Sequence, residues 1–170
     1  SSNTGEAIVL DVSSPGAITI AGTFVTKKAD GSASSKDGRA LSISGSRIYL
    51  GVERAVSAQE RDFYVIDENN LSAALGSINL NMFINHNQGA GISGIHVTNG
   101  LAFVSTRDPN DPFHIWDVSN PDPNVMVKWD TCNYNFSVDP QNMVYENNVI
   151  YTVNNLSSKL RVIVPSLVCI

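Results

Sequence analysis

The side chains of this sequence best suited to chemistry fall in a few polar stretches. Asn81-Met-Phe-Ile-Asn-His-Asn-Gln88 sets amides beside an aromatic ring and the imidazole of His86. Thr131-Cys-Asn-Tyr-Asn-Phe136 repeats the mixture around Tyr134. Amides offer paired donors and acceptors, and rings offer a stacking surface, so such stretches can hold a carbohydrate or a peptide. Taken singly, Phe83 and Phe136 read rather as fillers between blades. Arg107-Asp-Pro-Asn-Asp-Pro112 adds a cation beside Asp108. Its oxygen ligands, Asp108, Asn110 and Asp111, fall short of the six to eight oxygens that Ca²⁺ takes, so the loop reads as a solvated turn and no metal is expected. The candidate ligand-binding residues are therefore His86, Asn87, Arg107, Asp108 and Tyr134.

Catalysis has weaker support. Neither a Gly-x-Ser-x-Gly elbow nor a phosphate loop occurs, and no nucleophile–base pairing is legible. The three histidines are scattered and there is no Cys-x-x-Cys, which argues against structural zinc. His96 and His114 read as hydrogen-bonded structural residues. No catalytic residue and no cofactor are assigned. The enzymatic alternative is a hydrolase or lyase using Glu60, Asp62 and Asp108 as acid and base. Cys132 and Cys169 could bridge if their Cα atoms lie within about 7 Å. That bridge would close a loop of 36 intervening residues and stabilise by roughly 3–4 kcal/mol in the chain-entropy account; two separate thiols are the alternative. Asn70, Asn135 and Asn155 each open an Asn-x-Ser glycosylation pattern, which matters only in a glycosylating host.

Composition narrows the classes. The 170 residues carry a net charge of −5, against a nucleic-acid partner, which demands a basic face. No apolar run approaches the ~18 residues of a membrane span. No leader peptide is legible and the chain begins at Ser1, so a processed or partial chain is expected. Apolar residues make up 42%, enough for a core, while 16% are charged, below the roughly 25% of an average domain. Asn alone supplies 18 residues. Low charge with many small polar residues suits short strands joined by turns.

The elements that must position these residues repeat. Leu41–Leu50, Ile95–Val104 and Met143–Thr152 align without gaps as strand, turn and strand, turning at Gly45-Ser46, Asn99-Gly100 and Asn147-Asn148. Asn-Gly is a strong hairpin signal because both positions tolerate positive φ. Between these hairpins lie apolar strands ending at Asp11, Asp67 and Asp117, with a worn fourth equivalent at Val164. An Asp there can accept a backbone N–H two residues on and close the turn. Each unit is four strands, A to D. Strands B and C are apolar on both sides, as in strands covered on both faces. The period and strand count predict an all-β chain of β-propeller blades of four antiparallel strands, with three to four blades belonging to a larger ring. The expected segments are a partial blade at 7–24, blades at 39–80 and 93–131, and a partial blade at 141–170.

Ile8-Val-Leu-Asp-Val-Ser-Ser-Pro15, matched by His114-Ile-Trp-Asp-Val-Ser-Asn-Pro121, resembles the LVIVD-repeat propellers. In these an apolar strand runs into Asp-Val-Ser-Asn-Pro and a second strand closes near a Gly. Ala21-Gly22 fits that closing position; Lys128-Trp129 does not. The resemblance implies a propeller fold, common in secreted or surface-attached bacterial proteins, and no catalytic residue.

Antiparallel order sends the A–B and C–D turns to one end of each blade, expected to be tight throughout. The longer B–C and D–A connections go to the other end, the loop face. Variation confined to one face suits binding on a rigid scaffold. The leading expectation is an extracellular or cell-surface module that holds a protein or glycan by its loop face. A structural alternative is a filament subunit that self-associates through unpaired blade edges.

Overall fold

The computed structural model describes residues 6–53, 55, 57–80, 91–107, 113–122, 124–130, 140–154 and 160–164. Every element named there is a strand, and all pair antiparallel in four separate sheets. The first sheet is β1 (Ala7–Asp11) with β2 (Thr19–Phe24). The second runs in order through β3 (Gly38–Ser44), β4 (Arg47–Val52), β5 (Phe63–Asp67) and β6 (Asn70–Ile78). The third runs through β7 (Ile92–Thr98), β8 (Leu101–Thr106), β9 (Phe113–Asp117) and β10 (Val127–Asp130). The fourth holds β11 (Pro140–Glu146), β12 (Val149–Asn154) and β13 (Leu160–Ile163). Each sheet is a meander in which neighbours in sequence are neighbours in space, and no sheet closes on itself.

Turn chemistry explains the registers. Gly45 (φ 60°) opens the β3–β4 hairpin, while Asn99 (φ 50°) and Gly100 (φ 76°), then Asn147 (φ 51°) and Asn148 (φ 61°), make the next two with positive φ at both central residues. That geometry matches the twist of the flanking strands. Past each β5-type strand the expected Asp device is present: Asp11, Asp67 and Asp117 accept the backbone N–H of Ser13 (2.8 Å), Asn69 (2.9 Å) and Ser119 (3.0 Å). The expectation of tight turns at this end needs correction. Of the three connections that follow these aspartates, only the β5–β6 link, 68–69, is tight, whereas 12–18 and 118–126 are longer. In 118–126 the extra length is held by further turns of the same chemistry, in which Asn120 accepts from Asp122 N–H and Asp122 from Asn124 N–H.

The sheets stack face to face, and period-two alternation sorts each strand between two interfaces. Ile48, Leu50 and Val52 of β4, with Tyr64 and Ile66 of β5, face the first sheet and meet Ala7 and Phe24. Tyr49, Phe63 and Val65 of the same strands face the third sheet and meet Ile95, Val97, Val104 and Trp116. Phe103 and Phe113 then face the fourth sheet, against Met143, Ile150 and Ile163. Strand β3 lies beside β7, and β7 beside β11. Ser42 Oγ on β3 accepts the N–H of Val97 on β7 at 3.1 Å, tying the edge strand of the second sheet to that of the third. At the turn end, Arg47 Nη1 donates to Ser119 O at 3.0 Å, tying the second sheet to the third.

Candidate functional site

The loop face begins where β2 ends. Residues 26–34 fold into a small excursion, with Lys27 bridged to Ala33, Ser34 N–H donating to Thr26 O at 3.0 Å, and Gly31 at φ 81° at its tip. Asp30 accepts both N–H and hydroxyl of Ser32, which holds its carboxyl below the usual range. Ala29 N–H donates to Gln59 O at 2.7 Å, so this excursion is laced to the β4–β5 connection of the neighbouring sheet.

Beneath it sits Tyr64, a buried β5 side chain. Its hydroxyl donates to Lys27 O at 2.8 Å and lies 3.3 Å from Arg61 O, and its ring meets Phe24 edge-on at 5.7 Å. Burial foremost, then the negative field of Asp62, pushes its ionisation well above the ordinary tyrosine value. The phenol is a neutral strut between two loops.

Four carboxylates of this face are engaged with neighbouring loops or strands. Glu6 Oε2 accepts Thr26 N–H at 2.7 Å. Lys36 Nζ lies 3.6 Å from Glu60 Oε2, both side chains largely covered. Arg39 donates to Glu53, and that hydrogen bond keeps the Glu53 carboxyl below its ordinary value. Asp62 Oδ1 accepts Leu80 N–H at 2.7 Å, fixing the exit of β6, and Asn79 Nδ2 donates to Ser57 O at 3.0 Å. Glu60 and Asp62, the acid and base of the enzymatic alternative, are thus engaged in holding loops. Among the described residues no three His, Cys, Asp or Glu side chains gather as a metal site. No helix there is long and apolar enough to cross a membrane.

Of the sequence-predicted binding residues, Arg107 is described. It is exposed at the end of β8, its N–H donating to Gly91 O at 3.3 Å and its guanidinium to Gln141 Oε1 on β11 at 2.8 Å. It therefore spans two sheets. His86, Asn87, Asp108 and Tyr134 lie outside the described residues, as do Cys132, Cys169, Asn135 and Asn155. Asn70 is exposed at the start of β6, where its Oδ1 accepts both N–H and hydroxyl of Ser72. The other two histidines are in the stack. His96 faces the fourth sheet, 5.3 Å from the Tyr145 ring, and burial lowers its pKa. His114 is fully buried on β9.

The chain is similar to the computationally designed Ika8 protein, with a TM-score of 0.54 at 10% identity over 93% of this chain. It spans 40% of that protein's length. At that identity the likeness speaks to the fold alone. The computationally designed Ika4 protein aligns over 78% of this chain and 94% of its own at 10% identity, with a TM-score of 0.43. No protein-family model and no curated protein matches the sequence.

Proposed function

We propose that the four sheets are successive blades of a β-propeller of the LVIVD-repeat kind, in a ring completed by further sheets of the same pattern. On this reading the chain is an extracellular or cell-surface module whose loop face holds a protein or glycan. One observation carries it. The connections 25–37 and 53–62 emerge at the same end of the stack and are cross-tied, Ala29 to Gln59 and Lys36 to Glu60, into a shaped surface. Irregular loops braced on a rigid scaffold are the usual layout of recognition. Arg107, exposed at that end, supplies a planar cation suited to a carboxylate or a sugar hydroxyl. Binding is favoured over hydrolysis because Glu60 and Asp62 are committed to Lys36 and Leu80 N–H.

Glycan and peptide arrays test the reading. A ligand class should be retained by the wild-type chain and lost or weakened by Arg107→Ala. Turnover of a glycan or peptide without a retained ligand would overturn it.

A further inference from the structure

The turn end of the second sheet carries a group that the loop-face reading does not use. Asn70, Leu71 and Ser72 open β6 just past the 68–69 turn, and the two polar side chains are exposed. Asn70 Oδ1 accepts the hydroxyl of Ser72 at 2.6 Å and its N–H at 3.2 Å. The arrangement is local, a side-chain amide closing on the residue two places on. Asn70 Nδ2 makes no hydrogen bond among the described residues. An amide nitrogen is a poor nucleophile, because its lone pair is delocalised onto the oxygen. A hydroxyl donated to that oxygen favours the form in which the nitrogen has given up a proton. An Asn-x-Ser pattern supplies that hydroxyl.

The strand that Asn70 opens lacks the usual protection of a sheet edge. Among the described strands β6 ends its sheet, and it is nine residues long with no charge and no proline. Register shifts beside Ile66 bend it but add no charge. The outer strands of the next two sheets, β10 and β13, are four residues each; the first holds Lys128 and Asp130, the second Arg161. Short length and charge keep a free edge from pairing with another chain.

We propose that Asn70 is the acceptor of an N-linked oligosaccharide, whose bulk and hydration shield the β6 edge. The donor is a polyprenyl-diphosphate-linked oligosaccharide, and a transferase joins Asn70 Nδ2 to its anomeric carbon. The N–C bond forms as the bond from that carbon to the diphosphate oxygen breaks. The polyprenyl diphosphate leaves with the electron pair, and Nδ2 loses one proton to a base of the transferase. Exposure of Asn70 lets the folded chain carry the added bulk. Glu68, exposed two residues before it, adds a carboxylate that a basic side chain of a transferase can hold. Asn133 and Val153 stand in that place before Asn135 and Asn155, so the three Asn-x-Ser patterns are not equivalent. Asn70 lies at the opposite end from the 25–37 and 53–62 connections, and a glycan there leaves the loop face open. The inference rests on the extracellular location proposed above.

The test secretes the whole chain, fused to a leader peptide and to an Asp-x-Asn-x-Thr tag as control, from two N-glycosylating hosts. The transferase of the first reads Asn-x-Ser alone; that of the second also requires an acid two residues before the Asn. Peptide masses are read before and after an amidase that releases N-glycans and leaves Asp in place of the modified Asn. The peptide holding Asn70 should carry one oligosaccharide in both hosts. Asn70→Gln should lose it, and so should Ser72→Ala, which keeps the amide and removes the hydroxyl. Glu68→Gln should lose it in the second host and keep it in the first. An unmodified Asn70 beside a filled tag in either host, or a Ser72→Ala chain that keeps its glycan, would overturn the proposal. Array binding by the same samples separates the two readings. A filled Asn70 with no ligand retained contradicts the loop-face reading alone, and an empty Asn70 with a ligand retained contradicts this inference alone.

Discussion

The hydroxyl of Tyr64 donates to the carbonyl oxygen of Lys27 at 2.8 Å, joining a core strand of the second sheet to the loop that leaves the first. Residues distant in sequence are thereby fixed to one another, and the loop face takes its shape from that strut.

Tyr64→Phe keeps the ring and its contact with Phe24 but strands the Lys27 carbonyl. A loss of about 1–2 kcal/mol is expected, measured by chemical denaturation. Faster amide exchange should be confined to residues 26–34. The pH dependence follows from the raised pKa. The folded protein keeps the phenol protonated where the unfolded chain ionises it. The contribution is therefore complete below the ordinary value of 10.0 and is lost as pH rises beyond it. Melting curves taken upward from neutral pH should fall more steeply above about pH 10 in the wild type than in Tyr64→Phe.

Asp117 accepts from both the hydroxyl (2.6 Å) and the N–H (3.0 Å) of Ser119, the hydroxyl contributing most to depressing its pKa. A depressed pKa stabilises above the unfolded value of 3.8 and is lost as pH falls through the folded one. The turn is solvent-exposed, so Asp117→Ala should cost less than about 1 kcal/mol at neutral pH. Asp117→Asn, which keeps the acceptor, should cost less still and should flatten the acid limb of the stability curve.

Gly76 on β6 lies so close to the third sheet that a Cβ there would run into the carbonyl oxygen of Pro121. Backbone cannot step aside as a flexible side chain can, so Gly76→Ala should destabilise by about 3 kcal/mol or more. Gly16, with nothing within 4 Å of such a Cβ, is the matched control, and Gly16→Ala should leave the midpoint nearly unchanged. Equal effects at the two positions would contradict the packing of the second sheet against the third.

Asn148 holds φ 61° at the second central position of the β11–β12 hairpin. Glycine is the preferred residue there, so Asn148→Gly should raise stability by about 0.5 kcal/mol. Thermal denaturation with no change in cooperativity would agree; a loss would place the turn in another class.

Local signals are legible in the sequence. Asn99-Gly100 and the aspartates at 11, 67 and 117 act through bonds two residues long, and their chemistry does not depend on the rest of the chain. The length of 118–126 is harder to read, because the turn signal at Asp117–Ser119 is followed by further turns, at Asn120 and Asp122, that postpone the next strand. Tyr64 reads as one apolar member of Phe63–Ile66. Its polar end finds a partner only when residues 26–34 fold over it, a contact no local pattern encodes. Two-sided apolar strands imply two-sided cover. That holds for β4, β5, β8 and β9, but not for β1 and β12, whose Leu10 and Tyr151 are exposed. Glu60 and Asp62 have the side chains for acid–base work, but Lys36 and Leu80 N–H, which decide their role, are remote in sequence.

An amide-exchange footprint of the ligand recovered from the arrays is the most direct test of a loop-face site. Protection on binding should centre on residues 26–38, 57–61 and 106–107, with the turns at 45–46, 68–69 and 99–100 unchanged. Protection confined to those turns would contradict a loop-face site.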